Sequence, residues 1–324
     1  MHRESLIQTS ARLCIVIATL IWGSAFVVLK NTISDLPIFY LLAIRFLAAA
    51  ALLSVIFLPK WKQMNKGYLI RGMVMGLFLF LAFATQTFGL LDTTPSVNAF
   101  LTTVYCVIVP FLYWFVSKKR PDQFHLVAAL LCIAGVGFVS FGGAGAGALA
   151  FRGGELLTLV SGFFFAAHMV AISLSTKGRD VFLLTTIQFA TAGTLALVCG
   201  LCFETFPTAW NSSMVFSLGY LTIFCTAVTL LLQALGQKYT EPSESSVLLS
   251  LESVFAMVFS MIFYGDRPTL PLFIGFGLIF FSVICSETKL SFLRRRRRKR
   301  VKTSAYVPAV GEAAGAEAHP APLK

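Results

Sequence analysis

Charge is what this sequence has least of. Only 12% of its 324 residues are charged and only 14 are acidic, whereas 57% are apolar, and the mean hydropathy is +0.82. So few polar residues cannot coat a globule in water, which excludes a soluble domain and makes lipid the solvent. The signatures of hydrolytic and metal chemistry are missing too. There is no H-E-x-x-H, no G-x-S-x-G and no pair of aspartates within an apolar run, so neither an enzyme, a metal nor a cofactor is implied. The seven cysteines (Cys14, Cys106, Cys132, Cys199, Cys202, Cys225, Cys285) lie in or beside apolar runs and show neither a disulfide framework nor zinc spacing. They read as small buried hydrophobes, and Cys199-x-x-Cys202 lacks the soluble context of a redox motif.

What is present is a series of apolar runs near the 20 or so residues that a helix needs to cross a bilayer. Ten are expected: Ala11–Leu29, Phe39–Leu58, Tyr68–Leu91, Pro95–Val116, Phe124–Phe141, Glu155–Leu174, Val181–Phe203, Met214–Leu235, Ser245–Tyr264 and Thr269–Ser286. Loops between them are short, so no extramembrane catalytic unit is expected. With the N-terminus inside, the cytoplasmic segments hold 22 of the 26 Lys and Arg, and the outer loops hold only Lys30, Arg152 and Arg267. Both termini are therefore expected in the cytoplasm. The block Arg294–Arg300 carries no interleaved aromatics. It reads as a topology determinant touching anionic lipid headgroups, not as a nucleic-acid site.

The chain repeats itself. Gln86–Asp122 returns 147 residues later as Gln233–Thr269, with identities at Gln86/Gln233, Gly89/Gly236, Thr93/Thr240, Pro95/Pro242, Ser96/Ser243, Leu101/Leu248, Val107/Val254, Arg120/Arg267 and Pro121/Pro268. The first two spans recur at an offset of 143, Trp22 facing Phe165 and Leu41, Ile44 and Phe46 recurring as Leu184, Ile187 and Phe189. Five spans per copy is an odd number, so the second copy must enter the membrane from the other side. The expectation is an all-α polytopic membrane protein of ten transmembrane helices in two inverted five-helix repeats. Its parts are a first repeat over 11–141, a Gly-rich outer linker over 142–154, a second repeat over 155–286 and a basic, disordered tail over 287–324. Inverted repeats recur in secondary transporters, with the solute site at the midplane between the copies.

Several motifs carry a family resemblance. Trp22-Gly23-Ser24-Ala25-Phe26, Arg45-Phe46, Gln86-x-x-Gly89-Leu90 and Leu251-Glu252-Ser253-Val254-Phe255 resemble, in order and spacing, the EamA-like family of the drug/metabolite transporter superfamily. The resemblance covers about residues 11–286. It implies ten helices in two repeats and export of small metabolites such as amino acids or drugs. Ser253 stands where the family usually has a proline, which puts a kink at that point in question.

Polar groups at membrane depth are costly and mark a pathway or a buried partner. Trp22, Gln86, Asn98, Tyr105, His168, Gln233 and Glu252 are expected to line a central cavity and bind the solute, and Arg45 and Gln188 to gate or support it. Gln86 and Gln233 could equally bond between helices, and His168, alone among metal-ligand types, could be a satisfied core histidine. Glu252 lies about 12 Å inside its span at 1.5 Å per residue, too deep to reach the headgroups. It needs a proton, a solute ammonium or Arg45 as partner. The function read here is alternating-access export of a small amino acid, amine or drug-like solute, with a proton as the candidate coupling ion, from a multi-pass position in the cell membrane. A non-transporting scaffold or sensor and an intramembrane enzyme are the competing classes. Beyond solute and bilayer the one protein partner considered is a second copy, in a homodimer through the small residues Gly135, Gly137, Gly275 and Gly277 of spans five and ten.

Overall fold

The structure is a computed structural model, and it describes residues 2–118, 120, 123–143 and 153–288. Most of the Gly-rich linker and the basic tail beyond residue 288 lie outside the described residues. The helices are α1 (His2–Thr32), α2 (Ile38–Ile56), α3 (Lys66–Leu91), α4 (Pro95–Thr102), α5 (Tyr105–Ser117), α6 (Gln123–Gly143), α7 (Gly153–Ser175), α8 (Val181–Phe203), α9 (Ser212–Thr222), α10 (Thr229–Tyr239), α11 (Pro242–Phe259) and α12 (Leu270–Thr288). Among the described residues there is no strand. Eight stretches are long and apolar enough to cross a membrane, with α4–α5 counted as one and α9–α10 as another. In α6 and α12 the apolar cores are shorter, Leu126–Phe138 and Leu270–Ser282. Large apolar side chains face outward, among them Val55, Phe203 and Phe216, as a lipid-facing surface allows and water would not.

Local chemistry sets the breaks. Pro95 and Pro242, repeat equivalents, occupy the first turns of α4 and α11, where a missing N–H costs nothing. Asn65 Oδ1 caps α3 by accepting from the Gly67 and Tyr68 N–H groups, and Asp180 caps α8 and pairs with Lys60 Nζ at 2.5 Å. Lys118 and Gly265, 147 residues apart, both end their segments in the left-handed region, at φ 60° and 77°. The αL residue turns the chain out of the helix in both copies.

Packing follows the repeat as well. Helix α3 lies on α7, and α10 on α1. A methyl group added at Gly89 of α3 would sit 2.7 Å from the Gly154 carbonyl oxygen, and one at Gly236 of α10 would sit 2.9 Å from that of Ala11. Gly154 and Ala11 are themselves 143 apart, so the two close approaches are equivalents. Only glycine lets the backbones come this near. Helices α6 and α12 pack on each other, Gly135 against Ile279 and the Gly275 carbonyl, with Phe276 stacked on Phe100 at 3.9 Å. Gly135 of α6 is thus engaged within the chain.

Three local features differ from the even helices expected. The fourth span breaks at Thr103–Val104, between α4 and α5. The eighth passes through a π-helical segment, Ile223–Val228, and the ninth ends in another, Ser260–Tyr264. At Ser253 α11 runs on unbroken, consistent with serine in place of a proline.

Candidate functional site

Where the two copies meet, residues of α1, α2, α3, α5, α7, α10 and α11 line a narrow cavity of about 40 Å³. Its polar lining is Trp22, Arg45, Gln86, Tyr105, Gln233 and Glu252, and its apolar lining Ala25, Phe26, Leu29, Phe83, Phe165, Met169 and Leu249. That mixture of apolar walls and a few fixed polar groups is the lining of a small-molecule site, narrowed in this conformation to room for a few waters.

Tyr105 and Glu252 are repeat equivalents, and they touch. Tyr105 Oη donates to Glu252 Oε1 at 2.9 Å, both groups buried. In an inverted repeat, equivalent residues that touch lie at its axis. The break before Tyr105 starts α5 at that point, and Glu252 lies in the middle of α11. Only Oε1 of Glu252 has a partner among the described residues, which leaves Oε2 to the cavity.

The π-helical segment holds two wall residues, Trp22 and Arg45, from behind. A widened turn frees carbonyls from the α-helical ladder, and Trp22 Nε1 donates to the Cys225 carbonyl at 2.9 Å. The same segment presents the Thr226 hydroxyl, which donates to the Leu221 carbonyl and accepts from Arg45 Nε and Nη2 at 3.2 and 3.1 Å. The Arg45 guanidinium also sits over the Phe83 ring, 5.3 Å from its centre. Arg45 and Glu252 share the cavity but form no ion pair; the ion pairs of the described residues are Arg12–Glu244 and Lys60–Asp180. Arg45 is 2% exposed, so its remaining N–H groups are left for whatever enters the cavity. Thr226→Val should leave Nε and Nη2 unpartnered and cost about 2 kcal/mol, read as a lowered unfolding midpoint in detergent; an unchanged midpoint would mean Thr226 does not hold the guanidinium.

Of the residues singled out in the sequence, Trp22, Gln86, Tyr105, Gln233 and Glu252 stand on the wall, joined by Arg45. Gln86 Nε2 donates to Thr102 Oγ1 at 3.1 Å, and Gln233 Oε1 has no partner among the described residues. Asn98, His168 and Gln188 are not on the wall. Asn98 Nδ2 donates to Thr158 Oγ1, Thr93 Oγ1 and the Gln86 carbonyl at 2.8, 3.2 and 3.3 Å. Its equivalent Ser245 bonds Thr240, the equivalent of Thr93, at 2.5 Å. The position is a clasp across the turn in both copies, which is why it faces neighbouring helices. His168 Nε2 meets Gln188 Oε1 at 3.0 Å in a fully buried pair. Of the apolar wall, Phe165 follows from its pairing with Trp22, and the rest was not singled out. Phe26 and Met169 could have been, since they are 143 apart; Phe83 and Leu249 carry no sequence signal. Lys30 Nζ donates to the Leu90, Leu91 and Thr93 carbonyls and ties the end of α1 to the end of α3.

Known proteins resemble the chain along most of its length. The model of the EamA-like transporter family matches residues 9–141 and 152–288. An "Uncharacterized transporter" of Archaeoglobus fulgidus is 30% identical over 285 residues, 87% of each chain. The "Uncharacterized transporter YoaV" of Bacillus subtilis is 23% identical over 87% of this chain and 97% of its own. A crystal structure of a protein 19% identical superposes with a TM-score of 0.66, over 88% of this chain and 99% of the other, and shares the fold.

Proposed function

Since the chain belongs to the EamA-like transporter family, a family of transporters and not enzymes, we propose that this multi-pass membrane protein exports a small metabolite, an amino acid, amine or drug-like solute, by alternating access of the cavity between its two copies. Trp22, Gln86, Tyr105, Gln233 and Glu252 hold the solute, with Arg45 at one end. The observation that carries the reading is the Tyr105–Glu252 hydrogen bond between repeat equivalents on the cavity wall. A site on the axis is shared by both copies, so it stays in place while they exchange conformations.

The topology proposed is ten spans in two inverted repeats, α1–α6 and α7–α12, with both termini in the cytoplasm of the cell membrane. The equivalent close approaches at Gly89 and Gly236, and the left-handed ends at Lys118 and Gly265, support the repeat. The charge distribution supports the orientation, and the basic tail would rest on anionic lipid. Lys62→Cys in intact cells is expected to resist a membrane-impermeant thiol reagent and to react once the cells are permeabilised. Labelling in intact cells at the permeabilised rate would reverse the orientation.

Glu252 is the proposed coupling group. With no cation paired to it, its carboxyl exchanges a proton against the solute's ammonium or against water as the cavity changes sides. Radiolabelled counterflow of a panel of amino acids and amines in proteoliposomes tests the reading: accumulation of at least one panel member supports it, and none across the panel counts against it.

A further inference from the structure

The cavity does not obey the symmetry of the chain that builds it. Four repeat-equivalent pairs contribute both members to its wall: Trp22 with Phe165, Phe26 with Met169, Gln86 with Gln233 and Tyr105 with Glu252. Ala25, Leu29, Arg45 and Phe83 also line it, but their equivalents do not. Those equivalents are His168, Ile172, Gln188 and Leu230, and each is 0% exposed. Ala25 and Leu29 lie beyond Trp22 toward the 33–37 turn, and His168 and Ile172 lie beyond Phe165 toward the 176–180 turn. The cavity thus extends from its symmetric middle into the first copy, and the matching space in the second is packed shut. Leu249 alone runs the other way, its equivalent Thr102 being taken up by Gln86.

The shut half is not an ordinary apolar core. Gln188 Oε1 can only accept, so His168 Nε2 carries the proton of their 3.0 Å bond, and Nδ1 is left as a bare acceptor. Among the described residues, neither His168 Nδ1 nor Gln188 Nε2 has a partner, and neither does Thr185 Oγ1, one turn before Gln188, nor Thr229 Oγ1, beside Leu230. Native interiors keep few buried polar atoms unsatisfied. Two of them, on His168 and Gln188, stand at the equivalents of Ala25 and Arg45 in the open half, and those on Thr185 and Thr229 are near neighbours of Gln188 and Leu230 in the chain; such a group of atoms fits a space that holds water when it opens.

We propose that His168 and Gln188 form a second solute station, shut in this structure and opened when the two copies exchange conformations. It offers an acceptor at His168 Nδ1 and a donor at Gln188 Nε2, with no fixed charge, whereas the open half holds the Arg45 guanidinium. It therefore takes the neutral hydrogen-bonding face of a polar solute, through a hydroxyl or amide N–H on the imidazole and a carbonyl on the amide. The proposal rests on the transport reading for its solute, but not for its two states.

The test needs no solute. Full-length protein in proteoliposomes is treated with diethylpyrocarbonate, which modifies imidazoles that water reaches, and the peptide bearing His168 is followed by mass spectrometry. In the wild type, His168 is expected to react as the second half opens. In Ala25→Trp, the indole fills the first half and keeps it from closing, and reaction at His168 should slow about tenfold. Leu29→Phe is a smaller wedge with a smaller slowing expected, should the tryptophan prevent folding. A His168 that never reacts in the wild type, or that reacts equally fast in both wedge variants, overturns the proposal. Wedge-dependent reaction without counterflow of any panel member would remove the solute and keep the shut chamber; counterflow with wedge-independent reaction would do the reverse.

Discussion

Glu252→Gln is expected to fold, reach the membrane and still bind solute, but to transport at a rate that no longer follows pH. The glutamine matches the carboxyl in size, and its Oε1 can accept the Tyr105 hydroxyl as the carboxyl does at 2.9 Å. What it cannot do is gain or lose a proton. If one proton crosses per solute through this group, the wild-type rate should change by up to about tenfold per pH unit on the steep side of its profile, and the variant's profile should be flat. Gln86→Ala is the companion. Gln86 lines the same cavity and does not titrate, so its loss should weaken apparent affinity and leave the shape of the pH profile alone. An unchanged pH profile in Glu252→Gln would make the carboxyl a structural hydrogen-bonding group and end the coupling proposal.

Gly89→Leu and Gly236→Leu should each cost about 3 kcal/mol of stability, near the top of the usual range for overpacking. At Gly89 a side chain meets the Gly154 carbonyl and Thr158, and at Gly236 it meets the Ala11 carbonyl and Ile15. Each obstacle includes a backbone carbonyl beside the nearer side chain of Thr158 or Ile15, and the carbonyl cannot rotate away as a side-chain tip can. The helices α3 and α7, or α10 and α1, would have to separate, and both pairs border the cavity. Gly277→Ala is the control, since nothing lies within 4 Å of its added methyl. Removing a helical glycine there should be neutral or gain up to about 1 kcal/mol. Unfolding midpoints in one detergent compare the three; equal midpoints for Gly89→Leu and the wild type would contradict the close approach.

The helices and their order were legible in the sequence because lipid demands long apolar runs and short polar breaks. The repeat was legible because its punctuation recurs: Pro95 and Pro242 open helices, and Gly89 and Gly236 allow close approach. Hydropathy could not reveal how the spans deviate inside. The π-helical Ile223–Val228 is as apolar as its flanks, yet it decides where Thr226 and the Cys225 carbonyl point. The partner of Arg45 lies 181 residues away, and no local pattern joins them. Depth in the membrane was readable for Asn98, but not direction. The structure turns it toward Thr158 and away from the cavity. His168 and Gln188 hold repeat positions equivalent to Ala25 and Arg45 of the wall, but they bond to each other and stand off it, a pairing across 20 residues that hydropathy does not show.

The cavity as the path of the solute is tested most directly by counterflow in proteoliposomes, comparing the wild type with Ala25→Trp, which fills the space beside Trp22 and Arg45. The expected result is that a panel amino acid or amine accumulates transiently through the wild type, and that Ala25→Trp, folded and inserted, loses the accumulation. A solute whose counterflow is the same in both proteins would contradict the account, because it would be crossing by a route other than this cavity.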